Sequence, residues 1–135
     1  MDIPERSLIL TKAEAATRQV EGAIEALVRG HFDIAITLAG AAEDMIDSPD
    51  SLFAYHRDHL NAKELGELED KLVPHLNRER NWLKHASGLE TMQFGHYSAA
   101  FMVARAVTKL KPESCTTPIT AFCHWWTENI DSITQ

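Results

Sequence analysis

The sequence predicts an all-α fold: one domain over residues 1–135, built as an up-and-down bundle of five to six helices. Three observations carry this. Apolar residues recur at three- and four-residue spacings along most of the chain. Capping and stop residues punctuate those stretches. No stretch joins period-two alternation to hairpin turn chemistry.

The elements follow in order. Thr11-Lys12-Ala13-Glu14 has the form of a capping box, in which Thr11 and Glu14 each serve the other's backbone N–H. It opens a helix over 12–29 with a stripe of Val20, Ile24, Leu27 and Val28, stopped by Gly30. A second helix covers 32–47. Phe32, Ala35, Ile36, Ala39, Ala42 and Ile46 share one side, and Asp33, Thr37 and Asp44 the other. Its run Ala39-Gly40-Ala41-Ala42 is small enough for another helix to come close. Ser48-Pro49-Asp50 ends it and starts a short helix over 51–60. A fourth helix, 63–73, is striped by Leu65, Leu68 and Leu72. Pro74 ends it, kinks it, or takes the first turn of the next. That next helix stops near Ser87-Gly88, and 89–94 form a loop. Residues 96–110 read as a helix with Ala99, Ala100, Met102, Val103 and Val107 inward, ended by Pro112. The last helix runs over 118–130, with Ile119, Phe122, Trp125 and Trp126 as anchors. Adjacent tryptophans lie 100° apart on a helix, so one faces the core and the other a surface or interface.

Composition narrows the function classes. Hydrophobic residues make up 44% and charged residues 24% of the chain, the balance of a globular domain with a real core. Cys115 and Cys123 are too few for a disulfide framework, and their separation is not a metal-ligand spacing. The N-terminus does not read as a secretory signal, and no apolar run is long enough to span a membrane. The expected location is the cytoplasm. His56-Arg57-Asp58-His59 sets two imidazoles three apart, but no second pair of ligands accompanies them, so no metal is expected. Phosphate-loop, dinucleotide and serine-hydrolase motifs are lacking, and no cofactor is expected.

The net charge of −7 opposes broad nucleic-acid binding, which takes many Lys and Arg contacts to phosphate. Charge is unevenly placed, however. Between Pro74 and Lys111 six Lys/Arg stand against two Asp/Glu, giving +4, and the remainder carries seven against eighteen, giving −11. The basic segment reads either as chance placement or as a local anion site.

Two polar features interrupt the apolar pattern. Glu43 sits inside the stripe of the second helix, four after Ala39 and three before Ile46. A carboxylate there needs a cation or hydrogen-bond donors. It is therefore either an ordinary ion pair or an acid that orients a site. The second feature is Arg80-Asn81-Trp82-Leu83-Lys84-His85. Asn81 and His85 stack four apart, and Arg78 shares their side seven before His85. Arg80 lies about 140° around the axis from His85. It reaches that side only by curling, by an irregular helix near Pro74, or across a dimer interface. The plain alternative is the solvated face of a surface helix. The chemistry on offer is specific: Arg presents a fork matched to phosphate, and His exchanges protons near neutral pH. With Asn to hold an oxygen, those parts suffice for RNA cleavage by a 2′-hydroxyl without a metal.

These residues resemble a known family. Arg80-Asn81-x-x-x-His85 is similar to the R-x(4–6)-H motif of HEPN domains (higher eukaryotes and prokaryotes nucleotide-binding), in which a polar residue commonly follows the arginine. The stretch Leu38-Ala39-Gly40-Ala41-Ala42-Glu43-Asp44 ahead of it resembles small bacterial HEPN-like proteins. The resemblance implies a bundle of four to five helices, a homodimer with its motif helices face to face, and a metal-independent endoribonuclease. Arg80, Asn81, His85 and Glu43 would be its catalytic group, and Arg78 and Lys84 would contact the RNA substrate. Arg78 with His85 satisfies the longer form of the motif. The resemblance also implies a toxin–antitoxin or nucleotidyltransferase partner. Its inactive members leave a second reading: a noncatalytic helical module for dimer, partner or nucleotide binding.

Overall fold

The computed structural model describes residues 1–47 and 74–134. Among them the chain is all-helical, with no strand. The helices are α1 (Lys12–Val28), α2 (Phe32–Met45), α3 (74–84), α4 (His96–Lys109) and α5 (Thr117–Thr134). A single 3-10 turn, Pro112–Ser114, joins α4 to α5. The expected helices over 51–60 and 63–73, and with them His56 and His59, lie outside the described residues.

Local chemistry sets the boundaries of α1. Both bonds of the capping box form, Glu14 N to the Thr11 hydroxyl at 3.1 Å and Thr11 N to the Glu14 carboxylate at 3.4 Å. At the other end Gly30 takes φ +77°. There Gly30 N–H bonds Leu27 O and His31 N–H bonds Ala26 O, the paired bonds that close a helix through a left-handed residue. The chain turns back within three residues, and α2 packs along α1.

The core is built largely from small residues. Ala16, Ala23 and Ala26 of α1 meet Ala35, Ala39 and Ala42 of α2, all buried. Ala99, Ala100, Met102, Val103 and Val107 of α4 close over them, and Leu76, fully buried, anchors α3. In α5, Ile119, Phe122 and Trp126 face inward while Trp125 stays exposed, so the adjacent tryptophans do divide between core and surface. Val28 departs from its expected place in the α1 stripe and stands in solvent. No described helix is long and apolar enough to cross a membrane.

Leu76 is the fully buried apolar anchor of α3, with Leu83 partly buried beside it. Leu76→Ala should cost about 2–5 kcal/mol. Urea unfolding checks this: a loss under about 1 kcal/mol would show that α3 is not anchored there.

Candidate functional site

α3 presents two faces with different chemistry. Leu76, Arg80 and Leu83, spaced four and three apart, turn toward the bundle. Arg78, Asn81, Trp82 and His85 turn outward. The helix is regular to its end, where His85 N–H bonds Asn81 O at 3.1 Å. Helical structure stops at Lys84, three residues short of the expected Ser87. Trp82 holds the exit: its indole N–H donates to Leu89 O at 2.6 Å, and its ring meets Phe94 edge-on. Gly88, at φ +123°, makes the turn that brings Leu89 back.

On the inner face Arg80 is enclosed. Its Nη2 bonds Asp44 Oδ2 at 2.7 Å and the Gly40 carbonyl at 3.2 Å, while Nη1 lies 3.8 Å from Glu43 Oε2. Glu43 is only 10% exposed and receives a second guanidinium, Arg105 Nη2 of α4, at 2.6 Å. Two carboxylates from α2 thus meet one arginine from α3 and one from α4. Lys84 stands at the margin, 3.8 Å from Asp44. Gly40 makes the approach possible, because a Cβ there would lie 2.8 Å from Arg80 Nε. The small run in α2 therefore admits a guanidinium as well as a helix.

Glu43 accordingly has the cationic partners its place in the stripe demanded. Three members of this region were not expected. Asp44 has the exposure of a wet-face residue, yet its carboxylate reaches across to Arg80. Arg105 falls four after Phe101 and three after Met102, inside the apolar stripe of α4. Glu79, three after Leu76 and four before Leu83, is buried at 4% exposure, and one carboxylate oxygen has no hydrogen-bond partner. Burial raises its pKa, with Ser98, His75 and Arg78 pulling it partly back.

On the outer face Arg78, Asn81, Trp82 and His85 line an open cleft of about 500 Å³, completed by the 87–92 loop. Arg78 Nη2 sits 2.8 Å from His75 Nδ1. The residues singled out in the sequence therefore divide. Arg78, Asn81 and His85 come together, Arg80 and Glu43 come together elsewhere, and Lys84 lies at the edge of the second group. Among the described residues no three His, Cys, Asp or Glu side chains converge as metal ligands. No family model, no curated protein and no solved structure matches this chain.

Two measurements follow. Gly40→Ala should displace Arg80 and lower stability by about 1 kcal/mol, the lost bonds outweighing the helix propensity of alanine. Made in an Arg80→Ala background it should instead stabilise by up to about 1 kcal/mol. Urea unfolding of the four chains reads this change of sign, and equal effects in both backgrounds would refute the close approach.

Glu79→Gln tests the buried carboxyl. Its folded pKa lies above an unfolded value near 4.3, so the folded state holds the proton more tightly. The contribution is fully present below about pH 4.3 and is lost as pH rises through the folded pKa. Glu79→Gln should therefore gain stability on the wild type as pH rises from about 4.5 to 7. A constant difference across that range would sink the assignment.

Proposed function

We propose that the chain is a metal-independent endoribonuclease of HEPN type, with the outer cleft of α3 as its RNA site. One observation carries the reading: Arg78, Asn81 and His85 share an open cleft, within reach of solvent-borne phosphate. His85 takes the proton from a ribose 2′-hydroxyl. The oxygen attacks the adjacent phosphorus, the bond to the 5′-oxygen breaks, and that oxygen leaves as a hydroxyl after protonation by an acid. The products are a 2′,3′-cyclic phosphate and a 5′-hydroxyl end. Arg78 holds the phosphoryl oxygens with its fork of donors, and Asn81 positions the imidazole or the ribose. This reading uses the longer form of the motif. Arg80 and Glu43 then act as positioning residues, because their contacts set the rotation of α3. Lys84 is placed to hold the RNA backbone beyond the cleft. The protein acts in the cytoplasm as a homodimer, and an antitoxin or nucleotidyltransferase partner restrains it.

A second reading has its own observation. Arg80 is engaged by Glu43, Asp44 and the Gly40 carbonyl, so the arginine of the shorter motif serves the fold. The cleft would then be a recognition surface of a noncatalytic module.

Purified chain should cut RNA in excess EDTA and leave 2′,3′-cyclic phosphate ends. His85→Ala should lose at least about 100-fold in rate. Arg78→Ala should lose activity at unchanged stability, and Arg80→Ala should lose stability first. Wild type and His85→Ala cutting equally would point to a contaminating nuclease. No cutting by folded wild type would select the module.

A further inference from the structure

We propose that the apolar groove between α1 and α5 receives the N-terminal segment of a second copy of this chain. The groove encloses about 450 Å³, walled by Ile24, Leu27 and Val28 of α1, Phe32 of α2, and Phe122 and Trp125 of α5. Its rim is open to water: Val28 is 82% exposed. At the far end of α1, residues 1–11 have no secondary structure and every one is exposed. That segment carries the apolar run Leu8-Ile9-Leu10, with Leu8 at 56% and Ile9 at 96% exposure. Among the described residues, one chain thus holds an exposed apolar segment and an open apolar groove.

The two cannot meet within the chain. A helix rises about 1.5 Å per residue, so Ile24 lies about 20 Å along α1 from Thr11. The three residues from Leu8 to Thr11 span at most about 10 Å. A second copy removes the mismatch when two α1 helices run antiparallel. Each N-terminus then lies beside the C-terminal end of the other α1, where the groove opens.

Charge favours the same register. Arg18, Glu21 and Glu25 border a second opening on α1, around Gly22. Antiparallel pairing centred between Glu21 and Gly22 sets Arg18 of each copy opposite Glu25 of the other. The same register puts Thr11 about 6 Å beyond Val28 of the other copy along the helix axis, which brings the mouth of the groove within the reach of the Leu8–Leu10 run. Glu25 now pairs with Arg29 of its own helix at 2.8 Å, both well exposed, and such a pair exchanges partners at little cost. None of the groove's lining residues belongs to the outer cleft of α3, and the inference stands apart from the ribonuclease reading.

Sedimentation equilibrium of the full chain tests it. The wild type should be a dimer. The double variant Leu8→Glu/Ile9→Glu, and separately Val28→Glu, should each weaken the dimer by at least tenfold. Helical circular dichroism should stay unchanged, because all three side chains are exposed in the single chain. Arg18→Glu should weaken the dimer, and adding Glu25→Arg should restore it. A wild type that stays monomeric throughout the micromolar range overturns the proposal. So does a dimer whose dissociation constant is the same in the wild type, the double variant and Val28→Glu.

Discussion

The geometry around α3 depends on one guanidinium laid across one glycine. Arg80 enters the bundle with its donors fixed in a plane, and a buried fork of that kind must find oxygen. α2 supplies two acceptors within about one turn, the Gly40 carbonyl and the Asp44 carboxylate, and sets the Glu43 carboxylate 3.8 Å from the fork as an ion-pair partner. Successive side chains on a helix diverge by 100°, so Glu43 points inward and Asp44 toward solvent. The fork bridges that divergence. Arg105 then answers the inward carboxylate from α4. Two positive and two negative groups leave the cluster neutral, which makes its burial tolerable, and it ties three helices in one register.

The outer cleft is a consequence of that pairing. Once Arg80 faces α2, rotation of α3 about its axis is fixed, and Arg78, Asn81 and His85 are turned outward by helical spacing. Trp82 divides its roles between the faces. Its ring packs on Phe94 and its N–H holds the Leu89 carbonyl, which folds the 85–95 segment into a wall of the cleft. Leu83 and Glu79 face inward beside Leu76, so the helix is anchored along one edge and open to solvent along the other.

Much of this was legible because the rules involved are local. The α1 capping box, the Gly30 stop, the inward set of α4 and the division between Trp125 and Trp126 each follow from spacings within a few residues. Glu43 was legible as a residue in need of a partner, although the partner was not, since Arg80 and Arg105 come from helices 36 or more residues away. The same signal, a charge inside an apolar stripe, also marks Arg105 and Glu79. The separation of Arg80 from His85 was readable as the 140° between them. A regular α3 keeps that angle, and no bend brings the two together. Asp44 was the least legible member, because its backbone position is solvated and only its side chain reaches inward.

Charge placement limits how the proposed RNA site can hold an anion. The basic excess between residues 74 and 111 suggests an anion site, but position in sequence is not availability. Arg80 and Arg105 are committed to Glu43 and Asp44, and Lys84 leans the same way. Of the six Lys and Arg in that segment, only Arg78 lines the cleft. Each phosphate neutralised steepens the salt dependence of single-strand binding by about 0.7 in the logarithmic slope, so under the proposed reading one copy with so few available cations would hold RNA weakly and with a shallow dependence on salt. In the proposed ribonuclease, affinity would have to come from stacking and shape at Trp82, or from two clefts acting on one strand. A proposed site with a single arginine in its cleft is suited to sampling RNA without retaining it, and a second copy would turn that weak contact into a productive one.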